Sequence, residues 1–179
     1  MVSDRTKGEG EIVWQGRFIA AKKQGKWEYV SRTRDVTAAV ILAIHEGQVI
    51  LVEQHRVPVG GPCIELPAGL VGDDQEGEAI EAAAARELEE ETGYRPERVV
   101  SLGKFYASPG MSAEYFTLVR AEGLTKVGEG GGVEGEDIIV HHVPLSEIPA
   151  FLESKRAEGY EVDVKLLLLL GPSLVPSLG

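Results

Sequence analysis

The chain has 179 residues, 43% hydrophobic and 26% charged, enough for one sizeable core with decorations; a disulfide miniprotein and a disordered acidic tail are excluded. Its 18 basic and 29 acidic residues give a net charge of −11, the opposite of a duplex-binding surface, so nucleic acid is not an expected partner. Apolar runs such as residues 166–170 fall far short of the roughly 20 residues that span a bilayer, so no membrane partner is expected either. A polar start over residues 1–11 and a single cysteine, Cys63, predict a cytoplasmic protein.

In chain order, short strands are expected at residues 12–14, 17–20 and 27–30, with Lys22, Lys23, Gln24 and Gly25 as a turn. The β-branched runs 36–45 and 49–54 predict a hairpin turning at Glu46, Gly47 and Gln48, its first strand apolar enough to be buried on both faces. Gly60, Gly61 and Pro62 break the chain, and after Cys63 to Leu66 a loop is expected from Pro67 through Gly77. Residues 78–91 are nearly all strong helix formers, stopped by Gly93 and Pro96, with Ile80, Ala84 and Leu88 as the buried stripe. Further strands are expected at 99–106, 115–121 and 138–143, with a mobile glycine-rich loop at 128–135. Helices at 146–158 and 162–170 and a tail at 171–179 complete the reading. Strands on both sides of one central helix predict a mixed α/β sandwich and not a doubly wound sheet.

The charge is concentrated. Asp73 to Glu91 holds nine carboxylates and one arginine, Arg86, which is −8 of the −11. Glu87, Glu90 and Glu91 lie three and four apart on the helix, so their carboxylates converge on one side. Like charges at that spacing need a counter-cation, and hard divalent ions take oxygen ligands, although a solvated acidic helix face has the same spacing.

The string Gly72-x5-Glu78-x7-Arg86-Glu87-Leu88-x-Glu90-Glu91-x-Gly93-Tyr94 resembles the Nudix box, a pattern expected by chance in on the order of one chain in a million of this length. The resemblance implies an α/β/α sandwich around a mixed sheet, with a small N-terminal antiparallel β-sheet. Tyr94 replaces an aliphatic residue, and Gly69, which normally opens the box after Glu65-Leu66-Pro67-Ala68, is nine residues before Glu78, so a loop expansion over 70–77 is inferred. The family hydrolyses nucleoside diphosphates linked to another moiety, with Mg2+ or Mn2+ on the box carboxylates. Glu87 and Glu91 resemble the main metal ligands, with Glu90 and the Ala68 carbonyl in support. Arg86 is expected to orient the carboxylates and Glu78 to support the helix start.

In the ADP-ribose pyrophosphatase branch the catalytic base comes from an acidic loop before a late strand. The matching stretch makes Glu134 the base and Glu136 a loop ligand, or the reverse. His141 and His142, on alternate faces of a strand, are expected to be ordinary strand residues. Pro109 resembles the proline that marks this branch, Glu114 a glutamate that reaches the terminal ribose, and Arg56 an arginine near the phosphates; Glu65 joins them as substrate-binding. Trp27 lies in a segment resembling part of an adenine slot, with Trp14 as a second wall; packing is the alternative role for both. Relatives exchange the N-terminal sheet between subunits, so residues 1–34 are expected to form a homodimer and complete the pocket, with 35–170 as the hydrolase domain. ADP-ribose is the expected substrate, cleaved to AMP and ribose 5-phosphate; a broader nucleotide-sugar pyrophosphatase and a non-catalytic ADP-ribose sensor are the alternatives.

Overall fold

The computed structural model describes residues 10–34, 36–72, 77–133 and 135–174. In chain order its elements are β1 (Glu11–Gln15), β2 (Ile19–Gln24), β3 (Trp27–Arg32), β4 (Thr37–His45), β5 (Gln48–Arg56), β6 (Gly61–Glu65), β7 (Ala68–Val71) and α1 (Ile80–Thr92). There follow β8 (Tyr94–Arg95), β9 (Arg98–Phe105), β10 (Phe116–Glu122), β11 (Thr125–Lys126), β12 (Ile139–Pro144), α2 (Ile148–Ala157), β13 (Glu161–Val162), a 3-10 turn at Val164–Leu166 and α3 (Leu167–Leu174).

β1, β2 and β3 form a separate antiparallel sheet. Lys22 and Lys23, assigned to a turn from sequence, continue β2, because Lys23 pairs across the sheet with Glu11 on one side and Glu28 on the other. The turn falls at Gly25, whose φ of 60° suits glycine. This sheet joins the body of the chain through β3, where Val30 N donates to Met111 O at 2.9 Å and Ala113 N donates to Val30 O at 2.8 Å.

The main sheet is mixed, ordered β13-β6-β5-β4-β10-β9, with β12 on β5 and β7 on β4. β4 alternates between two cores, as a strand buried on both faces must. Ala39, Ile41 and Ala43 pack with Ala83, Ala84 and Leu88 of α1, whereas Val40 packs with Ile148 and Leu152 of α2 and with Leu166 and Leu170. This is the expected α/β/α sandwich. β4 and β5 pair only at Ile44 with Val49 and His45 with Gln48, then part company. Into the gap comes the segment after β6: Ile41 N donates to Pro67 O at 2.8 Å, and Ala68 to Val71 pair antiparallel with β4. The loop expected from Pro67 is therefore a strand at first, since the opened edge of β4 supplies partners that local turn chemistry does not reveal.

α1 starts at Ile80 and ends at Gly93, whose φ of 72° gives the left-handed C-cap. Near the C-terminus the expected single helix 162–170 is split. Glu161 and Val162 pair parallel with β6, Asp163 caps the next turn by accepting from Lys165 N at 2.7 Å, and α3 runs to Leu174, into the expected tail. The two strand histidines alternate faces as expected. His141 Nε2 lies 2.8 Å from Glu53 Oε2, to which Lys155 of α2 also donates, while His142 turns toward Tyr94. Burial works against the Glu53 charge, but His141, Tyr160 and Lys155 together hold its carboxyl below the ordinary value, fastening α2 to the sheet. No helix among the described residues is long and apolar enough to cross a membrane.

Leu88, wholly buried between α1 and the sheet, tests this packing: Leu88→Ala should lower the unfolding free energy by about 2–5 kcal/mol, read from urea denaturation.

Candidate active site

The acidic face of α1 meets the wedge formed by β7. Glu91, only 4% exposed, accepts from Ala68 N through Oε2 at 3.1 Å. Glu87 lies one turn away against Gly69, where any Cβ would overlap its Cδ; Gly69 leaves the groove in which that carboxylate sits. Arg86 gathers the rest. Its Nη1 is 3.0 Å from Glu87 Oε1 and 3.1 Å from Glu90 Oε2, and its Nε is 3.5 Å from Glu78 Oε1. Burial opposes the charge of Arg86, and the carboxylates of Glu78, Glu87 and Glu90 outweigh it, holding the guanidinium above its ordinary value. Glu78, just before α1, keeps Oε2 buried without a hydrogen-bond partner.

The loop after β11 crosses the end of this helix. Gly132 N donates to Glu90 O at 3.0 Å, Gly131 N to Glu91 O at 2.8 Å, and Val127 N to Gly93 O at 2.8 Å. The backbones approach so closely that a Cβ at Gly93 would overlap the Gly128 carbonyl and one at Gly130 would stand 2.5 Å from the Thr92 carbonyl carbon. Glycines of this loop let it dock on the helix end, because only a residue without Cβ fits at Gly93 or Gly130. Beyond it, Gly131 O accepts from Ile138 N at 3.4 Å and Glu136 Oε2 accepts from Val133 N at 3.1 Å. Glu134, the expected base, lies outside the described residues.

Glu136 is thereby brought into electrostatic reach of Glu87 and Glu91. Burial, with Glu87 and Glu136 adding to it, pushes the Glu91 carboxyl up to about 8 against the opposing Ala68 N–H and Arg56. Burial also raises Glu87, countered by Arg86 and reinforced by Glu90 and Glu136. Among the described residues no three His, Cys, Asp or Glu side chains converge as a ready metal site. Their oxygens are turned aside, to Arg86 for Glu87 and Glu90, to Ala68 N for Glu91 and to Val133 N for Glu136. Yet an oxygen-only donor set whose members oppose one another's ionisation suits a hard divalent cation. In donor chemistry the residues fit such an ion.

A cleft of about 560 Å³ opens beside this cluster, lined by Arg32, Arg56, Glu65, Ala68, Gly69 and Glu114 among others. Arg56 donates from Nε and Nη2 to the two carboxylate oxygens of buried Glu65, at 2.7 and 2.9 Å, which holds its guanidinium above the ordinary value. Glu65, expected to touch substrate, is the residue that sets Arg56. Glu114 accepts from Arg32 Nε at 2.7 Å and from Nη2. Arg32 was missed as a candidate although it lies inside the resembling segment 27–33. Asp163 and Lys165, paired at 2.6 Å, line the same cleft and carried no sequence signal. Trp27 and Pro109 line a second cavity of about 280 Å³. Trp14 lines neither cavity. It registers with Ala21 whereas Trp27 registers with Gln24, three residues along β2, so the two indoles point to opposite faces of the sheet and do not form one slot within a chain.

Because its carboxyl is raised from 4.5 to about 8, Glu91 favours the folded state while protonated, and that contribution is lost as pH rises between these values. In chelator, Glu91→Gln should gain stability relative to the parent from pH 4.5 to pH 8, by on the order of a few kcal/mol; urea denaturation at stepped pH measures it, and a difference independent of pH refutes it.

Residues 33–162 match the NUDIX domain. The chain is 35% identical over 118 residues to an ADP-ribose pyrophosphatase of Bacillus subtilis (65% of this chain, 62% of that one), so it spans less than two thirds of that relative. It is 35% identical over 176 residues to a GDP-mannose pyrophosphatase of Cronobacter sakazakii, covering 93% of this chain and 82% of the other. A crystal structure described as an ADP compounds hydrolase shares the fold, with a TM-score of 0.67 at 23% identity over 92% of this chain and 90% of its own. With the family's domain matched over most of this chain and the acidic helix in place, the chain belongs to the NUDIX family.

Proposed function

We propose that this chain hydrolyses the diphosphate of a nucleoside diphosphate sugar, with ADP-ribose as substrate and AMP and ribose 5-phosphate as products. The observation that carries the reading is the junction at β7, where Ala68 and Gly69 touch the carboxylates of Glu91 and Glu87 and also line a cleft that holds Arg32 and Arg56. Arginines suit the phosphates and the carboxylate cluster suits the ions that accompany them. The relatives named above for ADP-ribose and GDP-mannose support the same substrate class. GDP-mannose and ADP-glucose are the alternative substrates.

Glu87, Glu90 and Glu91, the Ala68 carbonyl and Glu136 would hold Mg2+ or Mn2+. When bound, such ions neutralise the diphosphate and stabilise the departing phosphate. Arg56, set by Glu65, orients a phosphate. Glu134 takes the proton of the attacking water, with Glu136 as its neighbour on the loop. Glu114 and Arg32 face the sugar end. An intact set of box carboxylates favours turnover over a sensor role.

The N-terminal sheet has a further part in this reading. Ile12, Val13, Trp14, Phe18, Ile19 and Trp27 are each at least 43% exposed there, an apolar surface suited to a second copy of the chain. Residues 1–34 then act in dimerisation, and Trp14 of one subunit could face the base with Trp27 of the other. The cytoplasm is the setting proposed, consistent with a single cysteine, Cys63, that is buried and free.

Purified protein with Mg2+ and a panel of nucleotide sugars should show its highest kcat/KM on ADP-ribose, and no turnover of any member would overturn the hydrolase reading. Within that assay Glu134→Gln should lower kcat by about 10²–10⁴ with KM little changed, the pattern of a lost base; a normal kcat moves the role to Glu136. For the dimer, Trp14→Ala and Trp27→Ala should each raise KM, and mixing them should regenerate some intact pockets, while a monomer by light scattering sinks the shared site.

A further inference from the structure

The last turn of α1 contains no basic side chain, although a helix C-terminus carries the negative end of its dipole. The cation found there comes from 34 residues further along: Lys126 Nζ donates to the Thr92 carbonyl at 3.0 Å. The same ammonium reaches the Glu129 carbonyl at 3.5 Å, at the start of the glycine crossing. It also lies 4.8 Å from the centroid of the Tyr94 ring, and Lys126 pairs with Tyr94 across β11 and β8. Tyr94 is itself fixed, buried at 7% exposure, its hydroxyl 3.1 Å from His142 Nε2 and its ring 5.3 Å from that of His45. Tyr94 is the position where this chain departs from the aliphatic residue of the box pattern, and an aliphatic side chain offers neither the ring face nor the hydroxyl.

We propose that Lys126 is a positioning residue that ties the acidic loop to the end of α1. One ammonium joins the final helix carbonyl to the first residues of the crossing, and the tyrosine beneath fixes where that ammonium stands. From this anchor the chain passes through Gly131 and Gly132, which bond to Glu91 and Glu90, and then to Glu136, whose side chain accepts from Val133 N on the same loop. Lys126 touches none of these carboxylates, so its effect on them is through the backbone. The kinetic part of the proposal rests on the hydrolase reading above; the structural part does not.

Lys126→Met keeps the stem and removes the charge, and Lys126→Arg keeps a cation. Hydrogen exchange at the Gly131 and Gly132 amides should quicken about tenfold in the Met variant, with exchange in the rest of the chain unchanged. In the same variant kcat should fall about tenfold with KM within about twofold, and the Arg variant should recover both readouts. Unchanged exchange at the two glycines overturns the proposal. So does a general rise in exchange with a lowered Tm, or an Arg variant as impaired as the Met one. Quickened exchange with an unchanged kcat refutes the positioning role. If the parent protein hydrolyses no nucleotide sugar, the hydrolase reading falls, and the exchange result alone decides whether Lys126 holds the loop.

Discussion

A helix ends in carbonyls that its own backbone cannot satisfy. In α1 one of them, that of Glu89, takes the amide of Gly93, and the next three are met by residues 126–132, which arrive from beyond two further strands of the sheet. The capping of the helix and the placement of the acidic loop are thus the same set of bonds. Loss of the crossing would leave buried carbonyls unpaired at the end of the segment that bears Glu87, Glu90 and Glu91. The stability of the fold and the geometry of the carboxylate cluster are therefore coupled, and the glycines at 93 and 130 are what make the coupling possible.

A second constraint acts from the opposite side. The β4–β5 hairpin opens almost as soon as it has turned, and β7 occupies the space. That opening brings Ala68 and Gly69 under α1 while leaving the ends of β5 and β6 free to present Arg56 and Glu65 to the cleft. A hairpin paired along its full length would close the β4 edge on which β7 lies.

What could be read in the sequence follows from how local its cause is. α1 was legible because good helix formers, an apolar stripe and Gly93 all act within a few residues. Its carboxylate pattern was legible because the spacing itself carries the meaning. β7, β8 and β11 escaped, since two to four residues acquire strand geometry only from partners elsewhere. The contacts of the glycine-rich stretch were hidden for the same reason: glycine is compatible with freedom and with close approach alike, and the helix end it meets lies far away in the chain. Arg32 and Lys165 are ordinary exposed-type residues until β3 and the turn after β13 bring them to one wall. Trp14 and Trp27 lie on opposite faces of the β1 to β3 sheet, so a slot built from both needs two subunits, a relation that spacing along one chain does not display.

The Arg56–Glu65 pair has a consequence for recognition. Of the five N–H bonds on a guanidinium, Nε and one on Nη2 are already committed to the buried carboxylate. The side chain is therefore frozen before any ligand arrives, so little rotamer entropy remains to be lost, and an incoming anion meets only the outer Nη edge. The direction of approach is restricted accordingly, and a lysine at this position, with a single rotatable ammonium, would preserve the charge but surrender that directional restriction.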